Sequence, residues 1–588
     1  MFEQDVTRRR FVVGSGAALG AGFLLPRSVL AATRVSPSGL SNGAFPTGLL
    51  SGDPTTSSIT LLTRVADVTG SGGVGVEVST SSTFEASKVV KSTTLPLTAT
   101  NDFTVKTAVT GLKPHTQYYY RFFTKNNSSR VGRFRTALPS SSKQEVKFAF
   151  FSCQDYTFGY YNAHHLMAAD DLDFVVNLGD YIYAEAYHSP TGTDYTGVRG
   201  DVIGSDLGNG YVTASTLEQY RAKYELYRSD ADLQDMHASH AMFSIWDDHE
   251  IIDNYAGAPS DGGLPSSHAF NRARQAAAYR AWFEKMPNNR STSASASDPN
   301  RIYKKLSYGK SLDLFLLDQR QYRDDQPHGD PALANPSTWD DYKGVRKFLG
   351  TAQMAWLKSE LKNSKATWKA IGNEVMVMNT KFTSSSYFNF DSWQGYPAER
   401  EDLLNYIGGT HLANKSPIKG VVFVTGDIHT FAAGDVIRDP ESVKGSEADK
   451  AVATEFVGGS ISSQGLGDGG IGGPLGWSRD KILEACRALQ PKTDPTTIAL
   501  LAGANRWLAN VDFDHHGYGR ATASPSSFKC DLVRVSTIKS KTETNGNRVG
   551  ALPLIEPGTD RNGYSNGLWP RFTWTVKPGS PSIRDIRR

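Results

Sequence analysis

A small β-sandwich followed by a larger α/β sheet domain is the fold this sequence predicts, and three observations predict it. Residues 45–139 hold short β-branched and aromatic runs broken by Gly, Pro, Ser and Asn, the texture of a sandwich of short strands. From Val146 onward, near-continuous apolar runs alternate with longer helical stretches, as in strands buried on both faces. The chain has 588 residues, enough for several domains and a large core. Charged residues make up 21% and hydrophobic ones 39%, which excludes both a disordered chain and a membrane bundle. Lys plus Arg is 63 and Asp plus Glu is 60, a net charge of +3. That near-balance leaves no electrostatic footprint for nucleic acid or an anionic membrane. Three Cys rule out a disulfide scaffold, a four-cysteine zinc site and an all-cysteine iron–sulfur cluster.

The elements follow in order. Residues 1–32 read as an address: Thr7-Arg8-Arg9-Arg10-Phe11, an uncharged run from Val12 to Leu25, and small residues at Ala31 and Ala32. The run is too short and glycine-rich for a membrane span, and the whole resembles a twin-arginine signal. That resemblance implies the twin-arginine export machinery as a partner, a periplasmic or secreted destination, and a protein exported folded with its metals or cofactors in place. Residues 33–44 are a polar linker. Ser58–Val65, Gly75–Ser79, Thr104–Val109 and Gln117–Phe123 are the sandwich strands. Leu112-Lys113-Pro114 before the tyrosine-rich strand resembles a fibronectin-III-like module, a scaffold rather than a catalyst. Residues 146–545 form the second domain. Its strands are expected at Val146–Cys153, Phe174–Leu178, Ala241–Trp246, Leu312–Leu317, Thr367–Ile371, Gly420–Thr425 and Thr454–Val457. Helices are expected at Ala163–Ala169, Asn271–Glu284 and Thr351–Asn363. Residues 546–588 read as a loop-rich tail.

Ligands of open α/β sheets bind beyond the carboxyl ends of the strands. Here those ends carry Ser152-Cys153-Gln154, Gly179-Asp180-Tyr181-Ile182-Tyr183, Asp247-Asp248-His249-Glu250 with Asp253-Asn254, Asn373-Glu374, and Gly426-Asp427-Ile428-His429. Carboxylates gathered in one site repel unless cations neutralise them. The set therefore predicts a metal site with more than one ion.

An Asp after a Gly, an Asn from the next loop and a late Asp-x-His resemble a calcineurin-like metallophosphoesterase, an α/β sandwich. Narrower motifs resemble the PhoD-type alkaline phosphatases and related phospholipase-D-like phosphodiesterases. They are Phe45-Pro46-Thr47-Gly48 through Gly52-Asp53-Pro54, the strand-end blocks above, Glu455 to Ser463, and Asp512-Phe513-Asp514-His515-His516-Gly517-Tyr518. The resemblance implies an exported alkaline phosphatase that hydrolyses phosphate monoesters through a metal-activated water, with Fe3+ and Ca2+ in one site. Zn2+ or Mn2+ is the plainer alternative. It implies Cys153, Asp180 and Tyr183 as iron ligands, Asp180 bridging to calcium, and Asn254, Asp427 and His429 as further metal ligands. A phosphodiesterase of phospholipase D type on the same site, acting on a phospholipid headgroup, is the second reading. A non-catalytic binding module is the third.

Other residues receive lesser roles. His249 and Glu250 are expected to orient the loop bearing Asn254, and Asn373 or Glu374 is a weaker ligand candidate. His164 and His165 are expected on a helix surface. Asp512, Asp514, His515 and His516 read mainly as structural. Gly465-Leu466-Gly467-Asp468-Gly469-Gly470 matches a dinucleotide-loop pattern, but no helix opens at its third glycine. It reads as a loop bordering the site. Cys486 and Cys530 are either free or paired.

Overall fold

The structure is a computed structural model. It describes residues 40–583 apart from 41, 69–71, 188–197, 207–210, 258–271, 290–297, 332, 341, 382–384, 466–467, 469–504, 544–545 and 553–572. The leader, the glycine-rich loop beyond Gly465 (Asp468 excepted) and Cys486 lie outside the described residues.

Strands Val146–Phe151, Phe174–Leu178 and Met242–Ile245 are parallel neighbours. Nearly every residue in them is buried, which is why they read as continuous apolar runs rather than alternating ones. They form the middle of a nine-stranded sheet. Its order is Thr573–Val576, Phe528–Val535, His516–Ala523, Val146–Phe151, Phe174–Leu178, Met242–Ile245, Leu49–Gly52, Ser58–Arg64 and Thr104–Thr110. A second sheet runs Lys304–Tyr308, Leu312–Leu316, Trp368–Asn373, Val421–Thr425, Ala451–Gly458, Phe431–Ile437 and Leu508–Asp512.

The strand period of two divides the second sheet between two cores. Leu312, Leu314, Leu316, Val422 and Val424 pack with Phe148, Phe174, Val176 and Phe243 of the first sheet. Phe315, Ile371, Val421 and Phe423 face the other way, against Met354, Leu357 and Leu361 of helix Gly350–Asn363 and Leu403 and Ile407 of helix Pro397–Gly408. Helices Asn162–Ala169, Leu217–Tyr227, Ala231–Ser239 and Arg272–Lys285 join the core of the first sheet. Two sheets therefore stack face to face, with helices outside them.

Residues 40–139 form an N-terminal unit of β-strands. Three of its strands extend the nine-stranded sheet. Four others, Val89–Pro96, Gly73–Ser79, Gln117–Phe123 and Gly132–Arg135, make a separate sheet over their own core. The join is parallel pairing of Gly52 with Met242. A Cβ at Gly52 would stand 2.3 Å from Pro287 O and 2.6 Å from Met242 O, so only glycine permits the approach. Asp53 then bridges the two parts. Its carboxylate takes Lys304 Nζ at 2.5 Å and the Asn289 amide at 2.6 Å, with Asp53 and Lys304 both buried.

The expected strands and helices form within one to three residues of the boundaries read from the sequence. The tail differs: Thr573–Val576 pairs with Phe528–Val535 and closes one edge of the first sheet. Strands His516–Ala523, Phe528–Val535 and Phe431–Ile437 were also not anticipated. Their Gly, Ala, Asp and Lys residues dilute the β signal. Cys530 is a buried free thiol in the first of the two sheets.

Removing Asp53 leaves a buried ammonium without its partner, at a cost of about 3–5 kcal/mol. Asp53→Ala is therefore expected to lower the thermal midpoint and open residues 40–139 to protease. An unchanged midpoint and cleavage pattern would remove the bridge from the account.

Candidate metal centre

The parallel strands of both sheets send their carboxyl ends to one rim, and the chain turns sharply there. Cys153 (φ 57°), Asp180 (52°), Asn254 (53°), Asp427 (67°) and His429 (51°) all adopt the left-handed region. For non-glycine residues this costs on the order of 1–3 kcal/mol and is characteristic of functional sites. Two glycines make the approach possible. A Cβ at Gly179 would lie 2.3 Å from Asp247 Cβ, and one at Gly426 would lie 2.5 Å from Ser152 Oγ. Gly426 thus lets the end of a second-sheet strand reach the end of a first-sheet strand.

Ligand-type atoms of Cys153, Asp180 and His429 lie within 4.8 Å of one another, as do those of Asp180, Asp248 and His249, and those of Asp247, Asp248 and Asp427. The trios overlap: Asp180 is shared by the first two and Asp248 by the last two. The Tyr183 hydroxyl sits 3.1 Å from both Asp180 Oδ2 and His429 Nε2, and Ser463 Oγ donates to it at 2.7 Å. The Asn254 amide N–H donates to Asp248 Oδ2 at 2.6 Å, while its side chain donates to Asp330 Oδ2 at 2.7 Å. The structure thus gathers Cys153, Asp180, Tyr183 and His429 closely, sets Asp427 with Asp247 and Asp248, and places Asn254 against Asp248.

The electrostatics say what this arrangement lacks. Burial, reinforced by Asp248 and Asp247, pushes the Asp180 carboxyl well above the usual carboxylate range. Burial and Asp247 do the same to Asp427. Burial and Asp180 push the Cys153 thiol and the Tyr183 phenol upward. Burial lowers His429 to about 4, so its ring is neutral. The His429 Nδ1–H donates to Gln464 O at 2.7 Å, which leaves Nε2 as a lone pair facing Tyr183 and Asp180. Asp248 Oδ1 is buried without a hydrogen-bond partner. Thiol, phenol and imidazole on one side with carboxylates on the other are a donor set that fits a thiophilic or ferric ion beside an oxygen-seeking one. Bound cations would reverse the upward shifts of Asp180, Asp427, Cys153 and Tyr183 and keep His429 neutral.

A supporting layer holds the donors. Glu250 accepts the backbone N–H groups of Asp180 at 2.9 Å, Tyr181 at 2.7 Å and Asp247 at 2.9 Å, tying two strand-end loops together. His249 donates its backbone N–H to Asp180 Oδ1 at 3.2 Å and stacks on Tyr183 with centroids 4.0 Å apart. Its Nδ1 lies 3.0 Å from Glu185 Oε2. Gln154 donates to Tyr181 O at 2.7 Å, and His164 Nε2 donates to Gln154 Oε1 at 2.7 Å.

Some lesser expectations change. His164 is fully buried, not on a surface, because it packs edge-on against Phe151 and Tyr161 and anchors Gln154. Asn373 spends its amide on Gln319, Trp393, Val375 and Thr425, so it braces strands rather than facing an ion. Glu374 is buried and accepts from the Gln319 N–H. Asp512 accepts from His515 at 2.9 Å, and neither belongs to a trio among the described residues. Sequence reasoning missed Arg320, Asp391 and Ser463. The strand Leu312–Leu316 was recognised, yet its continuation Asp318-Gln319-Arg320 was not read as a strand end of the same rim.

Comparisons with known proteins identify the family. Residues 148–532 match the family model described as PhoD-like phosphatase, and residues 30–138 match the PhoD-like phosphatase N-terminal domain. The chain is 34% identical over 542 residues to alkaline phosphatase D of Bacillus subtilis strain 168, covering 89% of this chain and 83% of that protein. A solved structure of PhoD superposes with a TM-score of 0.70 at 30% identity, over 92% of this chain and 91% of that one.

Glu250→Gln turns one of two accepting oxygens into an NH2 donor, so at least one of the three buried N–H groups loses its acceptor, at about 1–3 kcal/mol. A fall in thermal midpoint together with a fall in turnover is expected. Turnover without change would show that the loops hold their shape unaided. Burial holds His164 at about 3, below its ordinary 6.5. The unfolded chain therefore takes up this proton as pH falls and the folded chain does not. Native stability is lost progressively from about pH 6.5 downward. Urea midpoints of His164→Gln are expected to fall less steeply than those of the parent between pH 7 and 5, by roughly 2 kcal/mol over that range. Parallel slopes would contradict the buried neutral ring.

Proposed function

The chain belongs to the PhoD-like phosphatase family and is a phosphoric ester hydrolase, and from that premise we propose that it releases phosphate from monoesters at the Cys153–Asp180–His429 centre after export by the twin-arginine route. The observation that carries this reading is the convergence of a thiol, a carboxylate and an imidazole within 4.8 Å, with the Tyr183 hydroxyl 3.1 Å from two of the three. Cys153, Asp180, Tyr183 and His429 would hold iron(III), and Asp180, Asn254 and Asp427 would hold calcium. When bound, the ions supply positive charge for the phosphate and lower the pKa of water.

The chain's own residues prepare that centre. Ser463 aims the Tyr183 hydroxyl, and Gln464 O holds the His429 tautomer. Glu250 fixes the backbone on both sides of Asp180. Such pre-set geometry costs no reorganisation during reaction. The metallophosphoesterase-like stacking of two sheets between helices is part of the same proposal. Family membership sets the binding-module alternative aside. The diesterase reading shares every residue named here and differs in substrate. Among the described residues no helix is long and apolar enough to cross a membrane.

Mass-spectrometric metal analysis of the exported protein, with activity followed on a mono- and a diester, tests the reading. Near-stoichiometric iron with calcium, loss of activity on chelation and faster monoester turnover are the expected results. Iron absent, with activity restored by zinc or manganese alone, would overturn the mixed-metal assignment, and faster diester turnover would favour the second reading. Cys153→Ala is expected to lose its iron and at least about 100-fold in activity. Replacing Arg8 and Arg9 with Lys is expected to leave the protein in the cytoplasm, and unchanged export would refute the twin-arginine address.

A further inference from the structure

Arg320 stands in the centre without a task in the chemistry above. It follows strand Leu312–Leu316 and is fully buried. Its Nε donates to Asp247 Oδ1. Its Nη1 is 2.7 Å from Asp391 Oδ2, and its Nη2 is 3.5 Å from Asp248 Oδ1 and 3.7 Å from Asp427 Oδ1. One guanidinium therefore faces four carboxylates delivered by three separate segments, Asp247-Asp248 being neighbours in the chain. Asp391 is itself steadied from the far side by Arg323 and Gln326.

Three of those carboxylates, Asp247, Asp248 and Asp427, stand close enough together to hold a divalent ion. The positive charge among them belongs to the protein. A guanidinium is planar, always charged and cannot be removed by a chelator.

We propose that Arg320 is a built-in cation: it takes the place of a divalent ion among Asp247, Asp248, Asp391 and Asp427, and so confines exchangeable metal to the sites that include Asp180. The inference rests on the metal-centre reading of the preceding subsection. Arg320 is a positioning residue in this scheme. It orients one oxygen of Asp427 and leaves the other for the exchangeable ion. It also sets the number of metals the site accepts, because a further divalent ion would lie against the guanidinium and be repelled.

The test counts ions. Parent, Arg320→Gln and Arg320→Lys proteins are exported, stripped with chelator, equilibrated with calcium, dialysed and measured for metal per chain. Arg320→Gln is expected to hold one calcium more than the parent, and Arg320→Lys the same number as the parent. Should Arg320→Gln not accumulate in folded form, the double variant Arg320→Gln/Asp391→Asn, which loses one carboxylate with the cation, carries the same expected gain. A folded variant with the parent's metal count overturns the role of Arg320 and leaves the metal centre standing. A parent that binds no metal overturns the metal centre itself, and this inference with it.

Discussion

Stranded negative charge at the buried rim is the constraint on which the rest of the molecule depends. Asp180, Asp247, Asp248 and Asp427 converge where water is largely excluded. Carboxylates in that position either take up protons or find cations. Arg320 answers part of the demand, on the side away from Cys153. The remainder falls on Asp180 and Asp427, whose carboxyls are pushed far above their ordinary range by burial and by each other's neighbours. A protein that keeps such a cluster has a use for the ions that relieve it.

The fold is arranged so that the cluster can exist. Each sheet supplies half of it. Cys153, Asp180, Asp247 and Asp248 leave strands of the nine-stranded sheet, while Arg320, Asp427 and His429 leave strands of the seven-stranded one. Distances across the site are therefore set by how closely the two sheets pack. The interdigitated Leu312, Leu314, Leu316, Val422 and Val424 face Phe148, Phe174 and Val176, and close-packed interiors resist change in such spacing. Gly426 against Ser152 is one point where the two sheets come close. The N-terminal strands contribute by extension rather than by chemistry. They continue the first sheet beyond Met242–Ile245 and are tied through Asp53 to Lys304 at the edge of the second sheet.

The strained turns were the part of the site least visible in advance. Nothing in Cys153, Asp427 or His429 as letters announces a left-handed backbone, since Asp and His adopt it only in a minority of cases and Cys more rarely still. Their conformation is imposed by packing and by hydrogen bonds such as Cys153 N–H to Gly179 O and His429 Nδ1–H to Gln464 O. Glu250 itself was expected to orient a loop, and it does so on a different target: it grips the Asp180 and Asp247 backbones rather than the Asn254 segment. His164 was misplaced because a helix with two adjacent histidines gives no sign of which one faces inward. Here the inward one meets Gln154, part of the same motif as Cys153.

Apolar strand runs, their helical spacers and the Gly-Asp and Asp-x-His strand ends were legible in the chain by itself, because periodicity and turn residues act over a few positions. The same short-range signals proposed the six site candidates, five of them at or just past strand ends and Asn254 in the loop that follows Met242–Ile245. What only the tertiary structure decided is which of those ends meet. The sharing of Asp180 and Asp248 between neighbouring trios, the seat of Arg320 among four carboxylates and the completion of the first sheet by Thr573–Val576 all join segments far apart in the chain. Such pairings depend on how two sheets stack, and stacking is a property of surfaces that form only once the strands have paired.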